Sequence, residues 1–488
     1  MSQADDKHDD GNGNSDGSSN ATGRLERPAW AVGALAALVL ARAACYAVQG
    51  VGFVLDDWSL AGYRHFNGAM TRPMLESRPG TWASLTALYA IADTHPLVLF
   101  ALVTALYLLA TVLLYLLLGR YLSPLVAVAV AAVWVLVPNH NTIALWGASG
   151  NGLVALVLTL AGVLALTYGR WVTAGLLLAA SVLCYELFTP ICLLAPVLVP
   201  GRWQLRAPSR PVAVWQRVVV IALSGAAALW SATHSIYPLE LRMIDPVVFW
   251  SGHFGTGLLA SAAPPAALRL ALAAVAAVGV VVCAVAWVKG ERDRETGPAL
   301  VLAGIALMAI GGWVGFTLPI GSHGQNDRLY AASSIGSALV VVGIIRYAWV
   351  RSHASLPSHR VARFAIGSGV ALFVLVCLVG QRISLGSWIQ AGDDAVAALH
   401  YIEANSDGDP GASHFVIGPT RIYRNAVGGI QNGDGKWALR LTFGDEGGGT
   451  LRIPDTPDGF VAQTDDEVLV DWSEIVPNPP PYAPAADP

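Results

Sequence analysis

Residues 172–200 read Val172-Thr-Ala-Gly-Leu-Leu-Leu-Ala-Ala-Ser-Val-Leu-Cys-Tyr-Glu186-Leu-Phe-Thr-Pro190-Ile-Cys-Leu-Leu-Ala-Pro-Val-Leu-Val-Pro200. A bilayer span takes about 20 apolar residues, so this block is too long for one span and short for two. An acid sits at its middle and a proline follows just after. A charged side chain at mid-bilayer is costly. The block therefore reads as two short helices that meet near Glu186 at the outer surface.

That reading sets the topology of everything downstream. Further apolar runs lie near 30–48, 96–118, 122–138, 150–168, 218–234, 266–288, 297–319, 331–349 and 363–380. Such runs must be helical, because no water is present to satisfy the backbone. With 172–200 counted as two, the expectation is about 11 spans. Cytoplasmic loops are enriched in Lys and Arg. With the amino terminus inside, the basic clusters all fall on that side: Arg120, Arg170, Arg202 to Arg217, Lys289 to Arg294, and Arg351 to Arg363. A single span at 172–200 would put the arginines from 202 to 217 outside and invert every later cluster. The outward segments are then 50–95, 139–149, 235–265 and 320–330, the turn near Glu186, and the tail from 381.

Composition agrees with this fold class. Of 488 residues, 55% are apolar and 13% charged, where a soluble domain carries about a quarter charged. The expectation is an all-α polytopic protein of the cell membrane, amino terminus cytoplasmic, with a small, mostly β extracytoplasmic domain at the carboxyl end. Residues 1–27, rich in Asp, Gly, Ser and Asn, form a disordered cytoplasmic tail too long and acidic for the start of a signal peptide. Residues 28–380 form the transmembrane domain, with 50–95 as its first outer loop. Residues 381–476 form the outer domain, whose stretches His414 to Ile417, Trp437 to Phe443 and Glu467 to Val470 are β-like. Residues 477–488 form a Pro-rich disordered tail. The net charge of −4 has no basic stripe that would point to nucleic acid. The five cysteines lie in apolar runs, with neither disulfide-framework nor metal-ligand spacing; they read as small buried hydrophobes.

The residues that can carry chemistry lie in the outward segments. Asp56 and Asp57 adjoin in Val-Leu-Asp-Asp-Trp, just beyond the first span. Such a pair can hold a divalent cation, or one member can act as a general base while its neighbour orients it. It can also simply mark the membrane boundary. Glu186 is an acid inside an apolar block, which reads as functional or as a turn residue reaching water. His140 and Trp146 share the 139–149 loop. The histidine is structural or substrate-facing; the tryptophan is a sugar platform or an interfacial belt residue. The loop Gly321-Ser-His323-Gly-Gln-Asn-Asp-Arg328-Leu-Tyr330 is dense in hydrogen-bonding groups. Its arginine can neutralise a phosphate bidentately or snorkel at a span edge. Arg42, Arg72 and Arg78 are further cations; Arg42 lies in the outer half of the first span and should face the protein interior.

Four segments, in order, resemble the C-type (GT-C) membrane glycosyltransferases, in particular the membrane portion of the transmembrane TPR-containing O-mannosyltransferases, relatives of the protein O-mannosyltransferases. Asp56-Asp57 resembles their first-loop acidic motif, and Arg78-Pro79 with its following apolar helix their Arg-Pro segment. Pro138-Asn139-His140-Asn141-Thr142 running to Trp146-Gly147 resembles their Pro-x-His-Thr-Glu…Trp segment. Arg328-Leu329-Tyr330…Ser333 resembles their late-loop Arg-x-x-Tyr-x-Pro-Ser. Ser181 to Pro190 is similar to a Ser-Lys-Glu segment, with Glu186 as the acid and Tyr185 in place of Lys. Asn141 and Ile143 depart from Thr-Glu, the late-loop proline is missing, and the tail is no TPR array.

The resemblance implies a polyprenyl- or dolichyl-phosphate monosaccharide donor, mannose by default, and an acceptor on protein, polysaccharide or glycolipid. The mechanism expected of these residues is one inverting displacement with Asp56 as base, Arg328 on the departing phosphate, and His140 and Tyr330 positioning phosphate or sugar. Arg78 and His323 are further donor-binding candidates. A divalent cation, Mg or Mn, on Asp57 or Glu186 can assist. The residues fit a lipid-carried donor on their own terms too, because no nucleotide sugars exist outside the membrane. A transporter or flippase for a lipid-linked glycan is the second class; it would more often show inverted repeats, and none is visible. A scaffold whose tail binds cell-wall polymer is the third.

Overall fold

The structure is a computed structural model. It describes residues 29–199, 212–234, 245–261, 265–291, 297–313, 324–354 and 359–406, and in the tail 414–418, 423–424, 427–428, 430, 435–444, 450–452 and 467–471. The expectations for 1–27 and 477–488, for His323, and for Arg202, Arg206, Arg210, Arg292 and Arg294 lie outside the described residues.

The described residues are mostly helical. Helices α1 (Ala29–Ala47), α2 (Asp57–Asn67), α3 (Arg72–Ser77), α4 (Pro79–Ala92), α5 (Pro96–Leu118) and α6 (Pro124–Leu136) come first. Next are α7 (Thr142–Leu145), α8 (Gly150–Thr167), α9 (Trp171–Cys184), α10 (Thr189–Leu198), α11 (Val214–Thr233) and α12 (Pro246–Phe254). Then follow α13 (Thr256–Leu259), α14 (Ala266–Val288), α15 (Pro298–Gly311), α16 (Ala331–Ala354), α17 (His359–Asn405) and α18 (Gly435–Phe443). One sequence device starts many of them. Pro79, Pro96, Pro124, Pro190, Pro246 and Pro298 all stand in a first turn, where the missing N–H is no loss and the ring pre-sets φ.

Seven helices among the described residues are long and apolar enough to cross a membrane: α1, α5, α8, α11, α14, α16 and α17. Four shorter apolar helices, α6, α9, α10 and α15, accompany them. Together these occupy the eleven apolar segments of the sequence. The block 172–200 is indeed broken. Helix α9 stops at Cys184, Tyr185 is extended, a 3₁₀ turn runs Glu186–Phe188, and α10 starts with Pro190 in its first turn.

The main core joins α5, α6, α8, α9 and α16 around Tyr107, Trp134, Leu156, Leu178 and Leu339. Helices α15 and α16 approach by removing side chains from their seam. A Cβ on Gly304 would lie 2.6 Å from the Gly336 carbonyl, and one on Gly336 would lie 2.4 Å from that of Gly304. Close backbone approach of this kind is how helices associate where lipid gives no hydrophobic drive. The seam fixes the start of α16, and with it the 3₁₀ turn Gly324–Tyr330 that carries Arg328.

Two expectations are corrected at the carboxyl end. The last apolar helix does not stop near 380: α17 continues unbroken to Asn405. Its outer half buries Leu385, Trp388, Ala391, Ala395, Ala398 and Ile402, a helical stripe that keeps the segment folded after its hydropathy falls. The stretch Trp437 to Phe443 is helix α18, not a strand. The strands present are short: β1 (His414–Gly418) lies between β4 (Thr450–Arg452) and β5 (Glu467–Asp471), both parallel to it, and β2 (Tyr423–Arg424) pairs antiparallel with β3 (Val427–Gly428).

The tail does not hang free. Phe415, Ile430, Ala438, Leu439 and Leu451 share one apolar cluster with Trp58, Leu60 and Ala61 of α2, Leu85 and Leu88 of α4, and Ala395 and Leu399 of α17. A Cβ on Gly62 would meet the Trp437 ring at 2.5 Å, so only glycine lets α18 seat on α2. The segment 50–95 is thus gripped from the tail side.

Candidate active site

The acidic pair sits on a bent approach. Leu55, fully buried, has φ of +52°, a conformation that β-carbon-bearing residues adopt at a cost of about 1–3 kcal/mol and that gathers at functional sites. It turns the chain so that Asp56 flanks the start of α2 and Asp57 opens it. The two carboxylates then part company. Asp57 is 3% exposed. Its Oδ1 accepts the Tyr89 hydroxyl at 2.6 Å and the Ala148 N–H at 2.8 Å, and its Oδ2 accepts the Val54 N–H at 3.4 Å. Burial raises its pKa to about 7, against the pull of those three donors, and Asp56 adds a little more. Asp56 is exposed. Crowding around its carboxyl still raises its pKa, while the Arg328 guanidinium pulls it back down.

Arg328 faces this pair across Trp146. Its guanidinium lies 5.0 Å from the Trp146 ring centroid, a cation–π arrangement. The Trp146 indole donates to the Val54 carbonyl at 3.2 Å and packs 6.0 Å from Trp388 of α17. One tryptophan therefore touches both the segment leading into the acids and the cation opposite them. The neighbour of Arg328 is also pinned: Asp327, 1% exposed, accepts the Thr142 N–H at 2.9 Å.

The 139–149 segment is not an open loop. Asn139, His140, Asn141 and Thr142 are all 0% exposed. His140 lies 4.8 Å from the Trp134 ring and is bonded to the Tyr107 hydroxyl and to Asn139. Burial foremost, then Arg42 and His253, hold its pKa far below the usual range. Asn139 bonds His253 at 3.0 Å, and burial lowers His253 to about 3. Asn141 takes a hydrogen bond from Arg42 at 2.8 Å and gives one to Gln381 at 2.9 Å. Arg42 does face the interior, as expected. Tyr330 is buried against Phe249 and His253. His140 and Tyr330 are thus two rings of a packed network and make no direct contact with the acidic pair.

Arg78 and Glu186 do come together, as a half-buried ion pair. They do not join Asp56 and Asp57. Arg78 precedes α4 and Tyr89 lies near its far end, and at 1.5 Å per residue the two are ~16 Å apart along the axis. Glu186 therefore stands apart from the acidic pair. A divalent cation on Asp57 does not fit the residues present either. Both its oxygens accept from neutral donors.

No family model matches the chain, and no curated protein is similar to it. The site therefore rests on its own geometry. Sequence reasoning missed Tyr89, Asp327, Gln381 and Trp388. Asp327 carried a readable signal, an acid in the same short loop as Arg328. For Gln381 and Trp388 the signal was the apolar stripe that extends α17. Tyr89, one apolar residue among many in α4, carried none.

The arrangement offers one accessible carboxylate held beside a buried one, with a guanidinium across an indole face. Such a set can take a proton from an approaching hydroxyl and receive negative charge on the far side.

Proposed function

We propose that this chain is a membrane glycosyltransferase that moves a monosaccharide, mannose by default, from a polyprenyl-phosphate donor to an acceptor hydroxyl on the outer face. The observation that carries the reading is the pairing of free and fixed charges: Asp56 exposed beside pinned Asp57, and Arg328 stacked on Trp146 beside pinned Asp327. The proposal includes eleven spans with the amino terminus inside, which puts this site outward; four of the eleven are the short helices α6, α9, α10 and α15.

Asp56 takes the acceptor O–H proton. The freed oxygen pair attacks the anomeric carbon. The bond from that carbon to the phosphate oxygen breaks, and the lipid phosphate leaves with its charge against Arg328. The centre inverts. Asp57 holds the Asp56 backbone in place and stays out of the proton transfer, and no step passes through a metal. Trp146, buried, carries Arg328 on its ring, and His140 and Tyr330 act by rigidifying the 139–149 segment.

The test is transfer in membranes supplied with radiolabelled polyprenyl-phosphate mannose, followed by identification of the labelled product as protein, polysaccharide or glycolipid. Transfer by the wild type that Asp56→Asn abolishes supports the reading. Transfer undiminished in Asp56→Asn would sink the assignment of the base. Donor lipid that crosses the bilayer intact without sugar transfer would favour a flippase.

A further inference from the structure

The two charged dyads are built alike. In each, one aspartate is buried and its neighbour is the group left to act: Asp57 beside Asp56, and Asp327 beside Arg328. Each buried aspartate accepts a main-chain N–H from the same short segment. Asp57 takes Ala148 at 2.8 Å, and Asp327 takes Thr142 at 2.9 Å. Thr142 opens α7 and Ala148 lies just beyond its end. Trp146, between these two anchor points, donates to Val54 and carries Arg328 on its face. The segment is itself immobilised, with Asn139 to Thr142 buried and Asn141 tied to Arg42 and Gln381. It works as a ruler that sets the spacing between the acid from α2 and the cation from the turn before α16.

We propose that Asp327 is a positioning residue which, by accepting the Thr142 N–H, holds Arg328 over Trp146 and so sets the distance between the guanidinium and Asp56. The inference rests on the glycosyltransferase reading for its consequence, but the contact it describes can be measured without any transfer. Arg328 keeps its Nε buried without a hydrogen-bond partner among the described residues. That nitrogen does not hold the guanidinium; the Trp146 ring and the backbone on either side take part in placing it. On one side that backbone is anchored through Asp327; on the other it enters α16 and the glycine seam with α15.

A substitution at Asp327 that acts only through Arg328 has a distinct signature. Asp327→Ala removes the acceptor, and transfer should fall on the order of 10²-fold, as on loss of one charge-stabilising donor. Asp327→Asn keeps an oxygen acceptor for the Thr142 N–H and should stay within about tenfold of wild type. Asp327→Ala combined with Arg328→Gln should transfer no worse than Arg328→Gln alone, because residues acting as one unit are not additive.

The direct test is the fluorine resonance of Trp146 in protein labelled with 5-fluorotryptophan, assigned by its loss in Trp146→Phe. The resonance in Asp327→Ala should move to the position found in Arg328→Gln, and in Asp327→Asn it should remain at the wild-type position. Should Asp327→Ala fail to fold, Asp327→Leu fills the volume without an acceptor and should shift the resonance in the same way. A wild-type resonance in Asp327→Ala or Asp327→Leu, with Arg328→Gln shifted, overturns the proposal. A resonance that responds as expected in a protein that transfers no sugar leaves Asp327 as the anchor and removes the enzymatic reading.

Discussion

The two ends of α4 hold an acid each, and they hold it by opposite means. At the Tyr89 end, Asp57 is buried among a phenol and two amide N–H groups, with no cation bonded to it. At the Arg78 end, Glu186 is half-exposed and matched by a guanidinium. An acid paired with a cation is a settled charge that fastens two elements, here the start of α4 to the turn between α9 and α10. An acid held by neutral donors is fixed in place without a counter-charge and passes its effect to its neighbour. Both acids stand out in the sequence as carboxylates at a membrane edge. Only their partners separate a fastening from a site.

The comparison breaks most sharply at Asp56. Asp56→Asn should reduce transfer by about 10²–10⁴-fold, the usual worth of a general base, measured as initial rates with labelled donor at matched protein levels. Arg328→Gln should follow, with a loss on the order of 10²–10³-fold. It carries a second sign. Arg328 lowers the pKa of Asp56, so its removal should move the acidic limb of the pH–rate profile to higher pH. A limb that stays put would separate Arg328 from the acid.

The buried partner is read through stability. Folded Asp57 keeps its proton up to about 7, while an unfolded aspartate releases it near 3.9. The folded state therefore binds more protons across that window. Asp57's contribution to stability is largest below about pH 4, falls as pH rises toward about 7, and then levels. Asp57→Asn should flatten this fall when Tm in detergent is followed from pH 4 to pH 8. An unchanged slope would mean that Asp57 is already ionised throughout.

The smallest effect belongs to the settled pair. Arg78→Gln with Glu186→Gln should cost roughly 1 kcal/mol of stability, as partly exposed pairs do, and leave transfer within a few-fold of wild type. A large loss of transfer there would bring Glu186 back into the chemistry.

The legible parts of this fold are those written in local sequence. The break at Glu186 shows because an acid and Pro190 interrupt an apolar block. The acidic pair shows because two carboxylates adjoin just past a span. What stayed hidden depends on partners far along the chain. Asp327 meets Thr142 across 185 residues, and Gln381 meets Asn141 across 240. The burial of His140 follows from rings on α5 and α6 stacking over it, which its own polar surroundings in the sequence do not announce. The continuation of α17 was hidden for another reason. Hydropathy falls after 380 while the helical stripe from Leu385 to Ile402 persists, so a rule based on span length ends the helix too early. Trp437 to Phe443 misleads in the same way, because its aromatic and branched residues favour strands in isolation and only the seat on Gly62 makes them a helix face.

The central claim is that Asp56, beside the acid fixed at the neutral end of α4, does chemistry and that Glu186, at the cationic end, does not. Transfer from polyprenyl-phosphate mannose, measured side by side in membranes carrying Asp56→Asn and Glu186→Gln, tests it most directly. The account predicts transfer lost in the first and kept in the second. Transfer kept in Asp56→Asn and lost in Glu186→Gln would contradict it.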